Sequence, residues 1–485
     1  MSEKREQIKN QNHRITTSVL IKTSFWYTVS SYLTHAIGFI TTPIFTRILS
    51  KGEYGDFSVY VNWQSILVML CGLEVFNTIN RARFDFVEEK EFDSYITSCL
   101  FLSSIVTVIL FTLYLLFSKA FYIITLVEHK HMIIMFMYAF TMPAFSMFQA
   151  KQRITYQYKL NATISFVLVI ASSILAVYLA NTMIDKRITG RIIGQFILYI
   201  LAGLICYVCF INKQISFNTK YIKYAIQIAI PLVINHVASS ILMSSDNFVV
   251  KHMCSSEIVS DIALSHTFTN IIVVLVRTLN GAWSPWFYDQ LHDQNNNHIK
   301  KVFSLYVWVV IALTLSALLL GPEITILLGG AQYKTAIQIL PLVVLNGVFT
   351  VLLSQFVYLE TYYKRNKYAG IITGVGALFN VLIDIVGVKI WDYRAVCYAT
   401  VITQILMIVA HYKVTVSMGI RQILPAKDIV KYVLVSLFLI PLSLCLYRNN
   451  LLRYSFIGLL LVGVVVIGLV YRKKIKSFIA RIRSR

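Results

Sequence analysis

The chain has 485 residues, of which 57% are hydrophobic and only 14% are charged. This number of charges is too small to cover a water-facing surface of this size. The composition therefore excludes a soluble globular protein and predicts an integral membrane protein. The formal net charge is +22, and the placement of the basic residues indicates what that charge does.

About fourteen apolar segments follow one another along the chain, and each is long enough to cross a bilayer as a helix of roughly 20 residues. The predicted spans are 20–47, 55–80, 95–117, 131–149, 161–180, 191–211, 222–250, 263–287, 302–327, 335–360, 369–389, 395–418, 429–447 and 454–471. Segments such as 101–117 and 457–470 are apolar on every face, whereas strands of a membrane barrel alternate polar and apolar residues. The sequence therefore predicts an all-α integral membrane fold.

Most Lys and Arg residues lie in the tails and in every second loop, and the richest stretches are 364–367 and 472–485. The positive-inside rule then predicts an even number of spans with both termini in the cytoplasm. These residues are placed to fix topology and to contact anionic membrane lipid, so we expect no nucleic-acid partner. The polar residues 1–18 lead into a full-length span, so we expect no cleavable signal peptide.

Features of an enzyme are missing from the sequence. No soluble domain or long loop interrupts the spans, and no Gly-rich phosphate loop, HExxH or GxSxG motif occurs. A glycosyltransferase or polysaccharide polymerase needs acid and base residues held around a polar sugar, whereas carboxylates are scattered here. The cluster 128–131 (EHKH) contains ligand-type residues but fits a solvated rim at a helix entrance. We therefore predict a protein that is not an enzyme and has no metal centre or organic cofactor.

The chain also contains a weak internal echo. Residues 148–159 and 358–368 both follow a predicted span with an aromatic and basic segment, and six helices separate them. Such a repeat is typical of transporters with two six-helix lobes around a central site. We expect an N-lobe at 19–211 and a C-lobe at 212–418. Outside the lobes, we expect helices 13 and 14 at 419–471, with cytoplasmic tails at 1–18 and 472–485.

Four ionisable residues within predicted spans are candidate functional groups, since charge inside a membrane is costly. Arg277 lies mid-span in the eighth span and can face a water-filled cavity or form an ion pair with Asp246 or Glu74. Glu74, Asp246 and Asp384 are candidates for coupling to a proton or sodium gradient. A structural cap or ion pair is the alternative role, above all for Asp246 near the end of its span.

Local motifs then point to a family. Residues 46–57 (TRILSKGEYGDF), 245–250 (SDNFVV), 280–286 (NGAWSPW) and 329–336 (GGAQYKTA) occur in this order along the chain. Together they resemble the polysaccharide flippases, often called Wzx, of the multidrug/oligosaccharidyl-lipid/polysaccharide (MOP) exporter superfamily. The resemblance covers most of the chain.

This resemblance implies a flippase that moves an undecaprenyl-diphosphate-linked oligosaccharide across the bacterial inner membrane by alternating access. The product would serve O-antigen (lipopolysaccharide), capsule or a related polysaccharide, and a polymerase and a chain-length regulator would be candidate partners. The cations expected to face the cavity are Lys22, Arg47, Arg81, Arg83 and Arg277. Lys22 can also snorkel to the inner surface, and the arginines near helix ends can instead anchor the topology.

Three rival functions remain open from the sequence. A drug or cation exporter of the same superfamily fits the two lobes. A flippase for the peptidoglycan precursor shares the lipid carrier and the fourteen-helix plan. A membrane-embedded polymerase or glycosyltransferase is the alternative from a different class.

Overall fold

The computed structural model describes residues 36–155, 157–213, 215–420 and 422–459. Within these ranges the chain forms α-helices and short 3-10 turns and contains no β-strand. In the described ranges, eleven helices are long and apolar enough to cross a membrane, or twelve if one bent pair counts as a single span. The predicted all-α membrane fold is confirmed. The count of fourteen is not, because most of the first and the last predicted spans lies outside the described residues.

The N-lobe contains eight described helices and two 3-10 turns. In chain order they are α1 (Ala36–Ile48), α2 (Lys51–Gly72), a 3-10 turn (Val75–Thr78), α3 (Ile79–Asp85), α4 (Glu89–Leu116), α5 (Ser118–Thr125), α6 (His129–Ile154), α7 (Tyr158–Thr182), a second 3-10 turn (Ile184–Lys186) and α8 (Arg187–Lys213). The predicted second span bends by 55° after Gly72, because Leu73 and Glu74 both adopt the left-handed conformation, with φ of 47° and 52°. Left-handed backbone cannot continue a right-handed helix.

The C-lobe and the helices that follow it complete the described chain. In chain order they are α9 (Thr219–Met253), α10 (Ser256–His292), α11 (Asn296–Leu319), α12 (Gly321–Gly329), a 3-10 turn (Ala331–Tyr333), α13 (Ala336–Val344), α14 (Asn346–Tyr362), α15 (Asn366–Ile390), α16 (Ala395–Ser417), α17 (Ala426–Arg448) and α18 (450–459). The predicted ninth span is thus two helices, since Pro322 lies in the first turn of α12, where its missing N–H is tolerated.

Helix α9, which follows the predicted lobe boundary, packs against both halves of the chain. Ala225 and Ala229, in the first half of α9, belong to a buried cluster of N-lobe residues that includes Ile79 and Tyr95. Val250, near the other end of α9, belongs instead to the large apolar core of the C-lobe. Helix α9 therefore connects the two lobes mechanically as well as in sequence.

Candidate functional site

A cavity of about 610 Å³ lies between the lobes, with α1, α2 and α8 on one side and α9 and α10 on the other. Its wall combines apolar and aromatic surface with groups that can hydrogen-bond. The polar lining residues are Thr42, Ser58, Asn62, Arg191, Asn247, His266, Thr267 and Asn270. No carboxylate lies among the described lining residues, so the wall suits a polar or anionic guest better than a cationic one.

Arg191 is the cation that lines this cavity, and it is 7% exposed. Its guanidinium carbon lies 3.6 Å from the ring centroid of Phe57 and 4.0 Å from that of Phe45. Its Nε and Nη1 atoms are buried and have no hydrogen-bond partner among the described residues. Aromatic faces attract the cation but leave its N–H groups free for an anionic ligand.

Sequence reasoning missed Arg191. It begins the predicted sixth span, where an arginine is normally an anchor at a helix end. The structure starts α8 four residues earlier, at Arg187, so Arg191 lies one turn inside the helix, under rings from α1 and α2. No signal in the sequence places those rings beside it.

Two ion pairs close one end of the cavity, and both join the N-lobe to the C-lobe. Lys51 Nζ of α2 lies 2.8 Å from Asp261 Oδ1 of α10. Lys251 of α9 pairs with Asp56 of α2. Asp261 is 4% exposed, so water screens its pair with Lys51 only weakly. We call the end of the cavity defined by these four residues the closed end.

Backbone packing also seals the closed end. A Cβ atom added to Gly55 of α2 would lie 1.9 Å from the carbonyl oxygen of Ser256 at the start of α10. The Thr46 hydroxyl donates to the carbonyl oxygen of Leu328 at 2.6 Å, and Gln332 Nε2 donates to the carbonyl oxygen of Thr46 at 2.9 Å. Residues 46–57, one of the motifs of the sequence resemblance, thus build the N-lobe half of this seal.

Arg47 does not line the cavity. It is exposed at the closed end, where Nη1 donates to the carbonyl oxygen of Pro43 at 2.6 Å and Nη2 to that of Leu327 at 3.3 Å. These bonds satisfy carbonyl groups at helix ends and tie α1 to α12. Arg47 therefore has a structural function in this conformation.

Arg81 and Arg83 also lie outside the cavity lining. Arg81 is exposed and forms an ion pair with Asp85 one helical turn away, at 3.3 Å. Arg83 is half-buried, and its Nη1 donates to the carbonyl oxygen of Ile154 at 3.1 Å. Lys22, the remaining predicted cation, lies outside the described residues.

Arg277 is exposed on α10, two residues beyond Leu275 of the cavity wall. Within the part of the chain that the structure describes, it has no hydrogen-bond or ion-pair partner. The alternative of an ion pair with Asp246 or Glu74 finds no support, because those acids contact other groups. An unpaired charge within a membrane span is costly, so Arg277 stays a candidate for contact with water or a ligand.

The structure brings Asp246 and Asp384 together inside the C-lobe, where α9, α15 and α16 meet. Asp246 is 3% exposed and Asp384 is 0% exposed. Thr400 Oγ1 donates to Asp246 Oδ1 at 3.0 Å, and Asn380 Nδ2 donates to Asp384 Oδ1 at 3.0 Å. Asp384 Oδ2 and Asn380 Oδ1 are buried without a partner among the described residues.

Two buried carboxylates cannot both stay charged without a nearby cation, because burial removes the water that would solvate them. The free oxygen atoms here suit a proton or a sodium ion, the coupling ions expected from the sequence. His266 connects this acid pair to the cavity, since its Nε2 lies 3.8 Å from Asp246 Oδ2 and its ring lines the cavity wall.

Glu74 lies apart from that pair, in the N-lobe bend. Its Oε2 accepts a hydrogen bond from Asn77 Nδ2 at 2.6 Å and lies 3.2 Å from His236 Nδ1 of α9. Glu74 therefore connects the N-lobe to α9, and this contact gives it a structural role independent of the acid pair.

A comparison with sequence models of protein families shows which family this chain belongs to. The sequence model of the family described as "Polysaccharide biosynthesis protein" matches residues 20–291, which is more than half of the chain. The chain belongs to this family. Membership confirms the resemblance to polysaccharide flippases that the sequence motifs indicated. No curated protein matches the chain.

Solved structures show which fold this family member adopts. The lipid II flippase MurJ in an inward closed conformation superposes with a TM-score of 0.66 at 15% identity, covering 93% of this chain and 99% of MurJ. An inward-facing MATE multidrug transporter of the MOP superfamily gives 0.62 at 14% identity, covering 80% and 94%. A MOP superfamily transporter from Pyrococcus furiosus gives 0.54 at 13% identity, covering 84% and 96%. The family member thus has the fold of these MOP superfamily transporters.

Proposed function

We propose that this protein moves an undecaprenyl-diphosphate-linked oligosaccharide from the cytoplasmic to the outer leaflet of a bacterial inner membrane, for O-antigen, capsule or a related polysaccharide. One observation carries the proposal. The cavity between the lobes of this polysaccharide-family member has hydrogen-bonding walls, a buried cation and no described carboxylate. Sugars need hydrogen bonds, which this wall offers, and a positive, carboxylate-free wall favours an anionic headgroup over a cationic one.

The physical problem for such a transporter is the polar headgroup. Moving a charged diphosphate through hydrocarbon would cost on the order of tens of kcal/mol, because its charges would lose their water. In the cavity, the side-chain amides of Asn62, Asn247 and Asn270 can replace the hydrogen bonds that the sugars otherwise make to water. Arg277, unpaired beside the cavity, offers a planar fork that matches two phosphate oxygens. The lipid tail stays in the bilayer throughout.

Alternating access then requires the closed end to open. The positive-inside pattern of the loops predicts that this end faces outward, and we propose that the cavity receives its substrate from the cytoplasmic leaflet in this conformation. Release outward requires separation of the Lys51–Asp261 and Lys251–Asp56 pairs. The released product would be the substrate of a polymerase acting at the outer surface.

The pair of Asp246 and Asp384 supplies a coupling mechanism for this cycle. Binding a proton or sodium ion neutralises the pair and changes the electrostatic field on His266, which lies between the pair and the cavity. Since α9 carries Asp246 and also packs against the N-lobe, a change at the pair can reach the lobe contact. An ion gradient could thus drive the return of the empty transporter.

A flippase for the peptidoglycan precursor is the second candidate, favoured by the fold similarity to MurJ over 93% of this chain. A cationic-drug exporter fits less well, because Arg191 would repel a cation and no described wall residue carries the negative charge to attract one. The two flippase functions differ in the sugar that the cavity accepts.

The deciding experiment deletes the chromosomal copy and follows its lipid-linked glycan. We expect finished repeat units to accumulate on the cytoplasmic face, where an impermeant glycosidase cannot reach them in intact spheroplasts. Wild-type protein should restore exposure of the glycan, R277A should not, and R81A, which removes an exposed and already paired arginine, should restore it.

Other outcomes would redirect the proposal. Normal exposure in the deletion strain with increased sensitivity to cationic drugs would favour the exporter. Rescue of a strain depleted of its own precursor flippase would favour the peptidoglycan role.

A further inference from the structure

The two free arginines of the proposed pathway are far apart. Arg191 packs on Tyr54 and Phe57, in the turns of α2 that meet the first turns of α10. Gly55, between those two aromatic residues on α2, packs against Ser256 and Ser260 of α10. Arg191 therefore lies beside the part of α10 near Ser260.

Arg277 lies seventeen residues beyond Ser260 on the same continuous helix. At 1.5 Å per residue this is about 25 Å along the pathway. Two adjacent phosphate groups are far shorter than that distance. A diphosphate held by Arg277 therefore cannot also reach Arg191, and the two cations must serve different parts of the substrate.

The surroundings of Arg191 indicate what it binds. Two of its guanidinium nitrogens lack a hydrogen-bond partner. The aromatic rings of Phe45 and Phe57 pack against the planar guanidinium group. The neighbours that act on it electrostatically are Tyr54, which also hydrogen-bonds the guanidinium, and Tyr333, and neither of them is a carboxylate. A buried arginine without a counter-charge is poorly compensated until an anion arrives.

Resting on the proposed flippase function, we propose that Arg191 binds the carboxylate of an acidic sugar in the oligosaccharide while Arg277 holds the diphosphate. The substrate class is thus a repeat unit that contains a uronic or similar acid. Asn62 and Asn247, on the same cavity wall, are placed to hydrogen-bond the hydroxyls of sugars near that carboxylate. A carboxylate fits the flat guanidinium through two parallel hydrogen bonds.

The test compares two undecaprenyl-diphosphate-linked oligosaccharides of equal length, one with a hexuronic acid and one with the neutral hexose in its place. Their dissociation constants are measured on the full chain in lipid nanodiscs by quenching of tryptophan fluorescence. We expect the wild type to bind the acidic ligand about tenfold or more tightly than the neutral one. R191Q should lose this preference, and R191K should keep part of it because the charge remains but the fork does not.

Two arginine variants act as controls. R277Q should weaken both ligands by the same factor, because both contain the diphosphate. R81Q should change neither, because Arg81 is exposed and paired with Asp85.

Three results would overturn the inference. Equal affinity of the wild type for the two ligands would do so without any variant, and therefore independently of how R191Q folds. An equal loss for both ligands in R191Q would assign the diphosphate to Arg191 instead. Binding of neither ligand by the wild type would remove the proposed function itself, whereas the first two results leave it standing.

Discussion

Gly55 provides the sharpest test of the closed end. In Gly55→Ala the new Cβ would lie 1.9 Å from the carbonyl oxygen of Ser256, whereas close carbon–oxygen contacts are about 3.3 Å or longer. The start of α10 must therefore move away from α2 by roughly 1.4 Å, which is the difference between those two distances. Overpacking of this kind costs about 1–3 kcal/mol, and it is relieved when the lobes separate. We expect the population with an open outer end to rise by roughly 5- to 150-fold.

The same helix offers a matched control. A Cβ added to Gly52 would meet Ser256 Cβ at 4.0 Å, an ordinary contact. Gly52→Ala thus makes the same chemical change one turn away without a clash, and it should leave the equilibrium between the two conformations unchanged.

The assay measures access to the cavity from outside. A single cysteine at Ser58, on the cavity wall, is introduced after the native cysteines are replaced, and an impermeant maleimide is added to spheroplasts. The labelling rate follows the fraction of time that the closed end is open. We expect faster labelling in Gly55→Ala than in Gly52→Ala or the parent. Equal rates in all three, at equal expression, would refute the assignment of this contact as the outer seal.

Two further predictions concern charges. Lys51→Asp should increase labelling from outside in the same assay, because it leaves Asp261 buried beside a like charge. We expect the equilibrium between closed and open conformations to shift by about 1–3 kcal/mol. Adding Asp261→Lys should restore protection from labelling, whereas still faster labelling in the double variant would argue against a gating pair. Asp384→Asn should abolish the dependence of transport on a sodium or proton gradient, because one member of the buried acid pair can no longer bind a cation. The control Asp392→Asn, which changes a more exposed carboxylate, should keep that dependence. Transport by Asp384→Asn that still depends on the gradient would exclude the acid pair as the coupling site.

The sequence by itself determined the class of the protein. Long apolar segments must become helices in lipid, because every backbone N–H and C=O must be paired within its own segment. This requirement is local, so the approximate positions of most spans could be predicted without the fold. The motif at 46–57 indicated the family, and in the structure its residues Lys51 and Gly55 contribute to the closed end.

Only the tertiary structure decided which charges work together. Arg277 and Asp384 could be identified singly, because a charge within an apolar segment is costly wherever it lies. That Asp246 and Asp384 form one site depends on the packing of α9 against α15, which hydropathy does not encode. Arg191 looked like an anchor at a helix end until the rings of α1 and α2 were seen to cover it. Such contacts join residues more than a hundred positions apart, and one chain's local pattern carries no information on which helix faces meet.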